Sequence, residues 1–283
     1  MSKKLGLAIG SGGGWSISSL GVLKVLEEEG IKVDFLAGAS MGALIAGAYA
    51  SNFAEERTLG EIKRIVSDFS LRKAFSPKAD KRFGFFSSEK MGKIFEKEVG
   101  KLRFEDLKIP LSVVATDFKT GEEVIFDSGP VTPAISGSAA FVFMFTPFEY
   151  EGRLLTDGGI SNPTPVDIVR KMGADVVIGV DVTGKGHLTR TEIKRAWHHP
   201  VTLRIPPLHY ITNRHLGKTG IQLIDLLFTN LNRNKVIQSP PDFLLTPNVT
   251  HYNQFDFKNT DKFIAEGERV AREILPELRK LLD

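Results

Sequence analysis

A G-x-S-x-G motif at residues 38–42 constrains this chain most, because of the segments on either side of it. The apolar run 33–37 before the motif is typical of a strand, and the apolar run 43–49 after it is typical of a helix. A Ser at a sharp strand-to-helix turn has a strained backbone, so the flanking positions must be Gly to avoid clashes. The pentapeptide alone is a weak signal, but this context predicts a nucleophile elbow that pushes the Ser40 oxygen out beside a helix N-terminus.

The first 180 residues alternate between strand and helix patterns. Apolar runs predict strands at 5–9, 111–116, 123–126 and 175–181, and apolar residues at helical spacing predict helices at about 20–30, 62–69, 91–95 and 165–172. Strands with intervening helices imply a mostly parallel sheet covered on both faces. A chain of 283 residues, 42% of them hydrophobic, is long enough for one such α/β domain.

Composition excludes several classes of function. The net charge of +3 gives no support to nucleic-acid binding. The chain has no Cys, which excludes disulfides, thiolate metal sites and a Cys nucleophile. The apolar stretch near the N-terminus breaks at Gly10, unlike a signal peptide, and no apolar run is long enough to cross a bilayer. We therefore expect a cytoplasmic protein.

A glycine-rich segment, G-S-G-G-G at residues 10–14, lies between the first predicted strand and the first predicted helix. Its backbone N–H groups can point at an anion. A dinucleotide fingerprint needs glycine at position 15, where this chain has Trp15. An oxyanion hole is the other use, with each donor lowering the barrier by about 3–4 kcal/mol. An ordinary strand-to-helix turn is the third alternative.

The third motif is D-G-G at residues 157–159, followed by N-P-T-P at 162–165. Taken alone, an Asp before two glycines is usually a tight turn. In order and spacing, however, the glycine loop, the G-x-S-x-G near residue 40 and the D-G-G with N-x-P about 120 residues later resemble a bacterial patatin-like phospholipase. Shorter matches at 20–23 (L-G-V-L) and 173–175 (G-A-D) agree. The resemblance covers roughly residues 5–182.

This resemblance implies a patatin-like three-layer α/β/α fold with a mostly parallel central sheet. We expect a single domain over residues 1–283, with the motif-bearing core at about 5–182 and a C-terminal elaboration at about 183–283. In the family, a Ser–Asp dyad performs the chemistry, so Ser40 becomes the nucleophile and Asp157 the general base that later activates water. The backbone N–H groups implied as oxyanion donors are those of Gly12, Gly13, Gly14 and Met41.

No histidine is required by such a dyad, and the six histidines all lie beyond the matched motifs, at positions 187, 198, 199, 209, 215 and 251. An elbow after only the second strand also argues against a standard α/β-hydrolase triad. A carboxylate is a weak base toward a Ser hydroxyl, so Asp157 needs a partly desolvated position that raises its pKa.

The implied function is a serine acyl hydrolase of the phospholipase A or lysophospholipase type. It would cleave carboxylic esters of lipids through an acyl-Ser40 intermediate, without a metal or an organic cofactor. The expected partner is a lipid or phospholipid ester, and no nucleic acid.

Several positions depart from the family pattern. Trp15 stands at a basic position of the glycine loop, Ser16 at its last glycine, and Ser19 where His is frequent. Residues 135–139 stand where an Arg-Ala-Ser segment is usual, and the apolar run 141–145 that follows is typical of core, with an acyl-chain pocket as the alternative. The alternative function is a weakly active or inactive relative that binds lipid or a protein.

The C-terminal hundred residues carry fewer signals. Between 184 and 235 there are nine Lys or Arg and two acidic residues, a local charge of +7. This favours either a solvated face or peripheral contact with an anionic membrane surface, where each basic residue contributes about 1 kcal/mol. A stripe at helical spacing is typical of core or of a membrane-docking face, and it comprises Ile221, Ile224, Leu227 and Phe228. Apolar residues from Phe263 to Leu281 predict a final helix.

Overall fold

A computed structural model describes residues 3–51, 59–67, 86–142, 144–183, 186–189, 216–252, 254 and 259–283. The strands are β1 Leu5–Ile9, β2 Phe35–Ala39, β3 Leu111–Asp117, β4 Glu123–Phe126, β5 Phe148–Tyr150, β6 Arg153–Thr156, β7 Val176–Val180, β8 Gly186–Thr189 and β9 Phe243–Thr246. The helices are α1 Ser18–Glu28, α2 Met41–Ala50, α3 Leu59–Ser67, α4 Ser88–Val99, α5 Val131–Ser138, α6 Val166–Lys171, α7 Leu216–Gln238 and α8 Thr260–Leu282.

The nine strands in the described part of the chain form one mixed sheet in the order β5-β6-β3-β2-β1-β7-β9-β8, with β4 also paired to β3. The five strands β3, β2, β1, β7 and β9 pair in parallel, and the pairs β3–β4, β3–β6, β5–β6 and β8–β9 are antiparallel. Ile9, the last residue of β1, is paired with Gly38 of β2 and Val180 of β7. The carboxyl ends of these strands therefore meet at one edge, where ligand sites of parallel sheets form.

Along each strand, successive side chains point to opposite faces of the sheet. Both faces carry apolar side chains, and helices cover both. On one face, large side chains such as Leu7, Ile9 and Ile178 pack with helices α1, α2 and α8. The other face carries smaller residues such as Ala8, and there α6 approaches so closely that a Cβ on Gly6 would lie 1.9 Å from Val169 Cγ1. The predicted three-layer α/β/α fold with a mostly parallel sheet is confirmed.

Most elements match the sequence prediction, with informative differences. Strands β1 and β4 occupy the predicted residues, whereas β2 ends two residues later than predicted because its pairing with β1 continues to the elbow. Strands β5, β6, β8 and β9, of three or four residues each, and helix α5 were not predicted. Phe69, the last residue of one predicted helix, lies outside the described residues.

The C-terminal elements join the same sheet and core. Strand β9 pairs with β7, and α8 crosses α1 at glycines, where a Cβ on Gly267 would lie 1.8 Å from the Ser18 carbonyl oxygen. In α7, Leu227 is 52% exposed while Phe228 is buried, so the predicted stripe divides between solvent and core. The side chains of Ile221 and Ile224 lie outside the described part.

Six of the nine basic residues predicted to form a charged surface also fall outside the described residues, at positions 185, 190, 194, 195, 204 and 214. Across the described ranges, no helix combines the length and apolar character that a membrane span needs.

Candidate active site

Ser40 lies at a sharp turn between β2 and α2, with φ +56° and ψ −127°. This backbone conformation is strained for a residue with a side chain. The two motif glycines allow the turn to pack closely: a Cβ on Gly38 would lie 2.6 Å from the Gly42 carbonyl oxygen, and one on Gly42 would lie 2.3 Å from the Ile9 carbonyl oxygen. The turn therefore has the geometry of a nucleophile elbow, seated against the end of β1.

The Ser40 hydroxyl donates a hydrogen bond to Asp157 Oδ2 at 2.6 Å. Asp157 is fully buried, and Ser40 is 8% exposed. The other carboxylate oxygen, Oδ1, accepts the backbone N–H of Gly159 at 2.8 Å. Both oxygens of the carboxylate thus have a donor, and neither donor is a histidine. The two residues predicted to form the dyad are brought together, although they are 117 positions apart.

Asp157 reaches this edge because β6 runs antiparallel beside the end of β3, with Thr156 paired to Thr116. The Thr116 hydroxyl donates to the Asp157 carbonyl oxygen at 2.8 Å. Gly158 follows so close to β3 that a Cβ on it would lie 2.0 Å from the Val114 carbonyl oxygen. The first glycine of the D-G-G motif is therefore required for close approach, and that approach fixes where the carboxylate lies.

Burial raises the pKa of the Asp157 carboxyl to about 7, against the opposing effect of the hydrogen bonds from Ser40 and Gly159, which favour the ionised form. A general base is most effective when its pKa lies near the working pH. A carboxyl group with a pKa of about 7 is partly ionised at neutral pH.

The glycine loop lies next to the elbow, and its backbone conformation suits glycine. Gly13 has φ +57°, and a Cβ on Gly12 would lie 2.2 Å from Val182 Cγ2. Within the described part of the chain, the N–H groups of Gly12, Gly13 and Met41 have no hydrogen-bond acceptor. The Gly14 N–H instead donates to the Gln254 carbonyl oxygen at 2.6 Å, so a role for Gly14 as an oxyanion donor, which stays a prediction, requires that bond to open.

The residues that depart from the family pattern in this loop have defined contacts. The half-buried Trp15 donates its indole N–H to the Tyr252 carbonyl oxygen at 3.0 Å, which joins the loop to the segment before α8. The buried hydroxyl of Ser16 donates to the Gly10 carbonyl oxygen at 2.9 Å. Ser19 is buried in α1, and its hydroxyl has no partner among the described residues.

Sequence reasoning missed the part that α5 and the two residues after it play. The buried Ser138 hydroxyl accepts the Ser40 backbone N–H at 2.8 Å, and the Ala140 carbonyl oxygen accepts the Asp157 backbone N–H at 3.1 Å. In the sequence, the one signal from this segment is its place at the family's Arg-Ala-Ser position. A contact between residues 98 positions apart leaves no local pattern to find.

Two aromatic side chains border the D-G-G turn. Phe228 of α7 lies against Gly159, where a Cβ would be 2.7 Å from Phe228 Cε2. Phe141 packs edge-on against Phe228 with ring centroids 6.4 Å apart. Phe145 is buried in the core, and Phe143 lies outside the described residues. The predicted apolar run therefore contributes to the core at Phe145 and borders the site at Phe141.

Comparisons with known proteins agree with this architecture. Residues 7–170 match the family model described as patatin-like phospholipase. An uncharacterized NTE family protein of Mycobacterium bovis is 33% identical over 183 residues, which cover 65% of this chain and 50% of that protein. A lysophospholipase of Mycosarcoma maydis is 31% identical over 179 residues, covering 63% of this chain and 10% of that protein.

Among solved structures, VipD from Legionella pneumophila is similar in fold, with a TM-score of 0.60 at 14% identity, covering 98% of this chain and 67% of that one. The fold is thus that of a patatin-type α/β protein. Since the family model matches more than half of its residues, the chain belongs to the patatin-like phospholipase family. It spans about half the length of the Mycobacterium bovis relative and a smaller share of the Mycosarcoma maydis one.

Proposed function

We propose that this protein is a serine acyl hydrolase that cleaves the carboxylic esters of lipids, with Ser40 as nucleophile and Asp157 as general base. The observation that carries the proposal is the buried hydrogen bond of 2.6 Å between the Ser40 hydroxyl and Asp157 Oδ2 at a strained strand-to-helix turn. Family membership supports the substrate class, as does the similarity to the Mycosarcoma maydis lysophospholipase.

In the acylation step, Ser40 Oγ attacks the ester carbonyl carbon while its proton passes to Asp157 Oδ2. The carbonyl oxygen then carries the negative charge of the tetrahedral intermediate. When this intermediate collapses, the bond to the alcohol oxygen breaks and protonated Asp157 returns the proton to the leaving alcohol. An acyl-Ser40 ester remains.

The N–H groups of Gly12, Gly13 and Met41 are the donors we assign to the developing oxyanion. They are without acceptors in the described part of the chain, and Met41 opens helix α2, whose N-terminus favours negative charge. Each well-placed donor of this kind lowers the barrier by about 3–4 kcal/mol.

In the deacylation step, Asp157 accepts a proton from a water molecule that attacks the acyl carbon of Ser40. The second tetrahedral intermediate uses the same donors, and its collapse returns the proton to Ser40 Oγ and releases the fatty acid. The mechanism needs no histidine, because the pKa of about 7 lets one carboxyl group take and return protons near neutral pH.

The rings of Phe141 and Phe228 beside the D-G-G turn support an apolar acyl group as the part of the substrate bound there. The local charge of +7 between residues 184 and 235 supports peripheral contact with an anionic lipid surface. Sedimentation with phosphatidylglycerol vesicles, with phosphatidylcholine vesicles as control, tests that contact.

A second function, binding of lipid or of a protein partner with little turnover, is favoured by one observation. The Gly14 N–H is held by the Gln254 carbonyl oxygen, which reduces the number of loop donors open to an oxyanion.

Hydrolysis of p-nitrophenyl butyrate and of lysophosphatidylcholine by the wild type, Ser40→Ala and Asp157→Asn decides between the two functions. We expect wild-type turnover to fall by about 10³-fold or more in both variants, because members of a catalytic unit are individually essential. Turnover equal in wild type and Ser40→Ala, or absent from all three, supports the binding function instead. If Asp157→Asn keeps wild-type activity while Ser40→Ala loses it, a residue other than Asp157 is the base.

A further inference from the structure

The end of helix α5 contacts both members of the dyad. Ser138, the last residue of the helix, accepts the backbone N–H of Ser40 through its side-chain oxygen at 2.8 Å. Two residues later, the Ala140 carbonyl oxygen accepts the backbone N–H of Asp157 at 3.1 Å. One short segment thus holds the backbones of two residues that come from different parts of the sheet.

The hydrogen bond from Ser40 matters because of the backbone conformation at that residue. The carbonyl of Ser40 accepts the N–H groups of Ala43 at 3.0 Å and Leu44 at 3.3 Å, which fixes the peptide plane that follows it. The Ser138 hydroxyl holds the plane that precedes it. A strained residue persists only when its surroundings over-determine it, and these two sets of bonds fix both sides of Ser40.

We propose that Ser138 is a positioning residue that holds the Ser40 elbow in its strained conformation and so keeps Ser40 Oγ within hydrogen-bond distance of Asp157. This inference rests on the proposed hydrolase function. Without the Ser138 oxygen, the Ser40 N–H is left buried without an acceptor, a state that proteins avoid. Rotation of the peptide plane toward another acceptor relieves it and moves Ser40 Oγ.

Asp157 does not move with Ser40, because its backbone is held separately. Its N–H donates to the Ala140 carbonyl oxygen, and its carbonyl oxygen accepts the Thr116 hydroxyl. Its side chain is held as well, because Oδ1 accepts the Gly159 N–H. Loss of the Ser138 hydroxyl therefore changes the distance within the dyad rather than displacing the pair together. A displacement of about 1 Å at a reacting centre costs on the order of 100-fold in rate.

Helix α5 offers a matched control in Ser136. This residue is also buried, and its hydroxyl donates at 2.7 Å to the Thr132 carbonyl oxygen within the same helix. Ser136→Ala and Ser138→Ala each remove one hydroxyl and one hydrogen bond from α5. Only Ser138→Ala removes a contact with Ser40, so a difference between the two variants reports positioning rather than helix stability.

The test measures kcat and KM for p-nitrophenyl butyrate in the wild type and both variants, together with the rate at which a fluorophosphonate labels Ser40. We expect Ser138→Ala to lower kcat and the labelling rate by about 100-fold with KM within about twofold of wild type. For Ser136→Ala we expect kcat within about threefold of wild type. A wild-type kcat in Ser138→Ala, or an equal loss of kcat in Ser136→Ala, overturns this inference but leaves the proposed hydrolase function intact.

A second pair of variants decides the matter if Ser138→Ala does not fold. Thr and Val have the same shape, but only Thr keeps a hydroxyl that can accept the Ser40 N–H. We expect Ser138→Thr to exceed Ser138→Val in kcat by at least about tenfold, whereas equal values overturn the inference. A wild type without Ser40-dependent turnover overturns the proposed function and this inference together.

Discussion

The indole N–H of Trp15 donates to the carbonyl oxygen of Tyr252 at 3.0 Å, which joins the glycine loop to a segment 237 residues away in sequence. Tyr252 in turn packs edge-on against Phe263 of α8, with ring centroids 5.4 Å apart. Trp15, which stands where the family has a basic residue, therefore anchors the glycine loop to the body of the protein.

Trp15→Phe keeps an aromatic ring but removes the indole N–H, so the Tyr252 carbonyl oxygen loses this hydrogen bond. We expect a loss of about 1 kcal/mol in the free energy of unfolding. This corresponds to a melting temperature roughly 2–4 °C lower by differential scanning calorimetry. An unchanged melting temperature contradicts the assigned bond.

Trp15→Arg restores the family's basic residue at the cost of the indole contacts. We expect no gain in kcat/KM for p-nitrophenyl butyrate, because the donors assigned to the oxyanion are backbone groups of Gly12, Gly13 and Met41. A rise in kcat/KM, with the wild type measured in parallel, means instead that the missing charge limits catalysis.

Ser40→Gly and Ser40→Ala both remove the nucleophile, but they differ in backbone strain. At φ +56° and ψ −127°, Gly pays no Cβ penalty whereas Ala does. We expect Ser40→Gly to be more stable than Ser40→Ala by about 1–2 kcal/mol in urea unfolding. Equal stabilities, or a more stable Ala variant, mean that the turn is not strained in solution.

The raised pKa of Asp157 predicts a pH-dependent cost to stability. Between about pH 4 and pH 7 the carboxyl keeps its proton in the folded state but releases it in the unfolded state. The free energy of unfolding therefore falls as pH rises through this range, and the loss is complete above about pH 7. Asp157→Asn has no such cost. Its melting temperature relative to wild type should therefore rise from pH 5 to pH 8, and a constant difference across that range contradicts the assignment.

The same carboxyl predicts the pH dependence of the reaction. Asp157 must be ionised to accept the Ser40 proton, so kcat/KM for p-nitrophenyl butyrate should rise with pH along one limb with an apparent pKa near 7 and then level off. As a control, the hydrolysis rate of Ser40→Ala is measured at each pH and subtracted from the wild-type rate. A limb centred near pH 4, the ordinary value for Asp, shows that burial does not tune this group.

The sequence predicts the elbow well because its requirements are local. Gly38 and Gly42 are dictated by contacts within the turn and with the end of β1, and the segments beside them are continuous apolar runs in the sequence. The five parallel strands and their covering helices follow from apolar runs and helical spacing, except β9 and helix α5, which were not predicted.

The parts of the site that the sequence does not reveal depend on contacts between distant residues. Strand β6, which precedes Asp157, has only four residues, and Asp157 is indicated by the order and spacing of the motifs rather than by a strand pattern. The bond from Ser40 to Ser138 and the bond from Gly14 to Gln254 join residues 98 and 240 positions apart, and neither leaves a local signature.

Covalent labelling determines directly whether Ser40 is the nucleophile and whether it depends on Asp157. Wild type, Ser40→Ala and Asp157→Asn are treated with a fluorophosphonate at pH 8, and the modified peptide is identified by mass spectrometry. We expect a single adduct on Ser40 in the wild type, none in Ser40→Ala, and labelling slowed by about 10³-fold or more in Asp157→Asn. An adduct on another residue, or labelling of Ser40 at the wild-type rate without Asp157, contradicts the Ser40–Asp157 dyad.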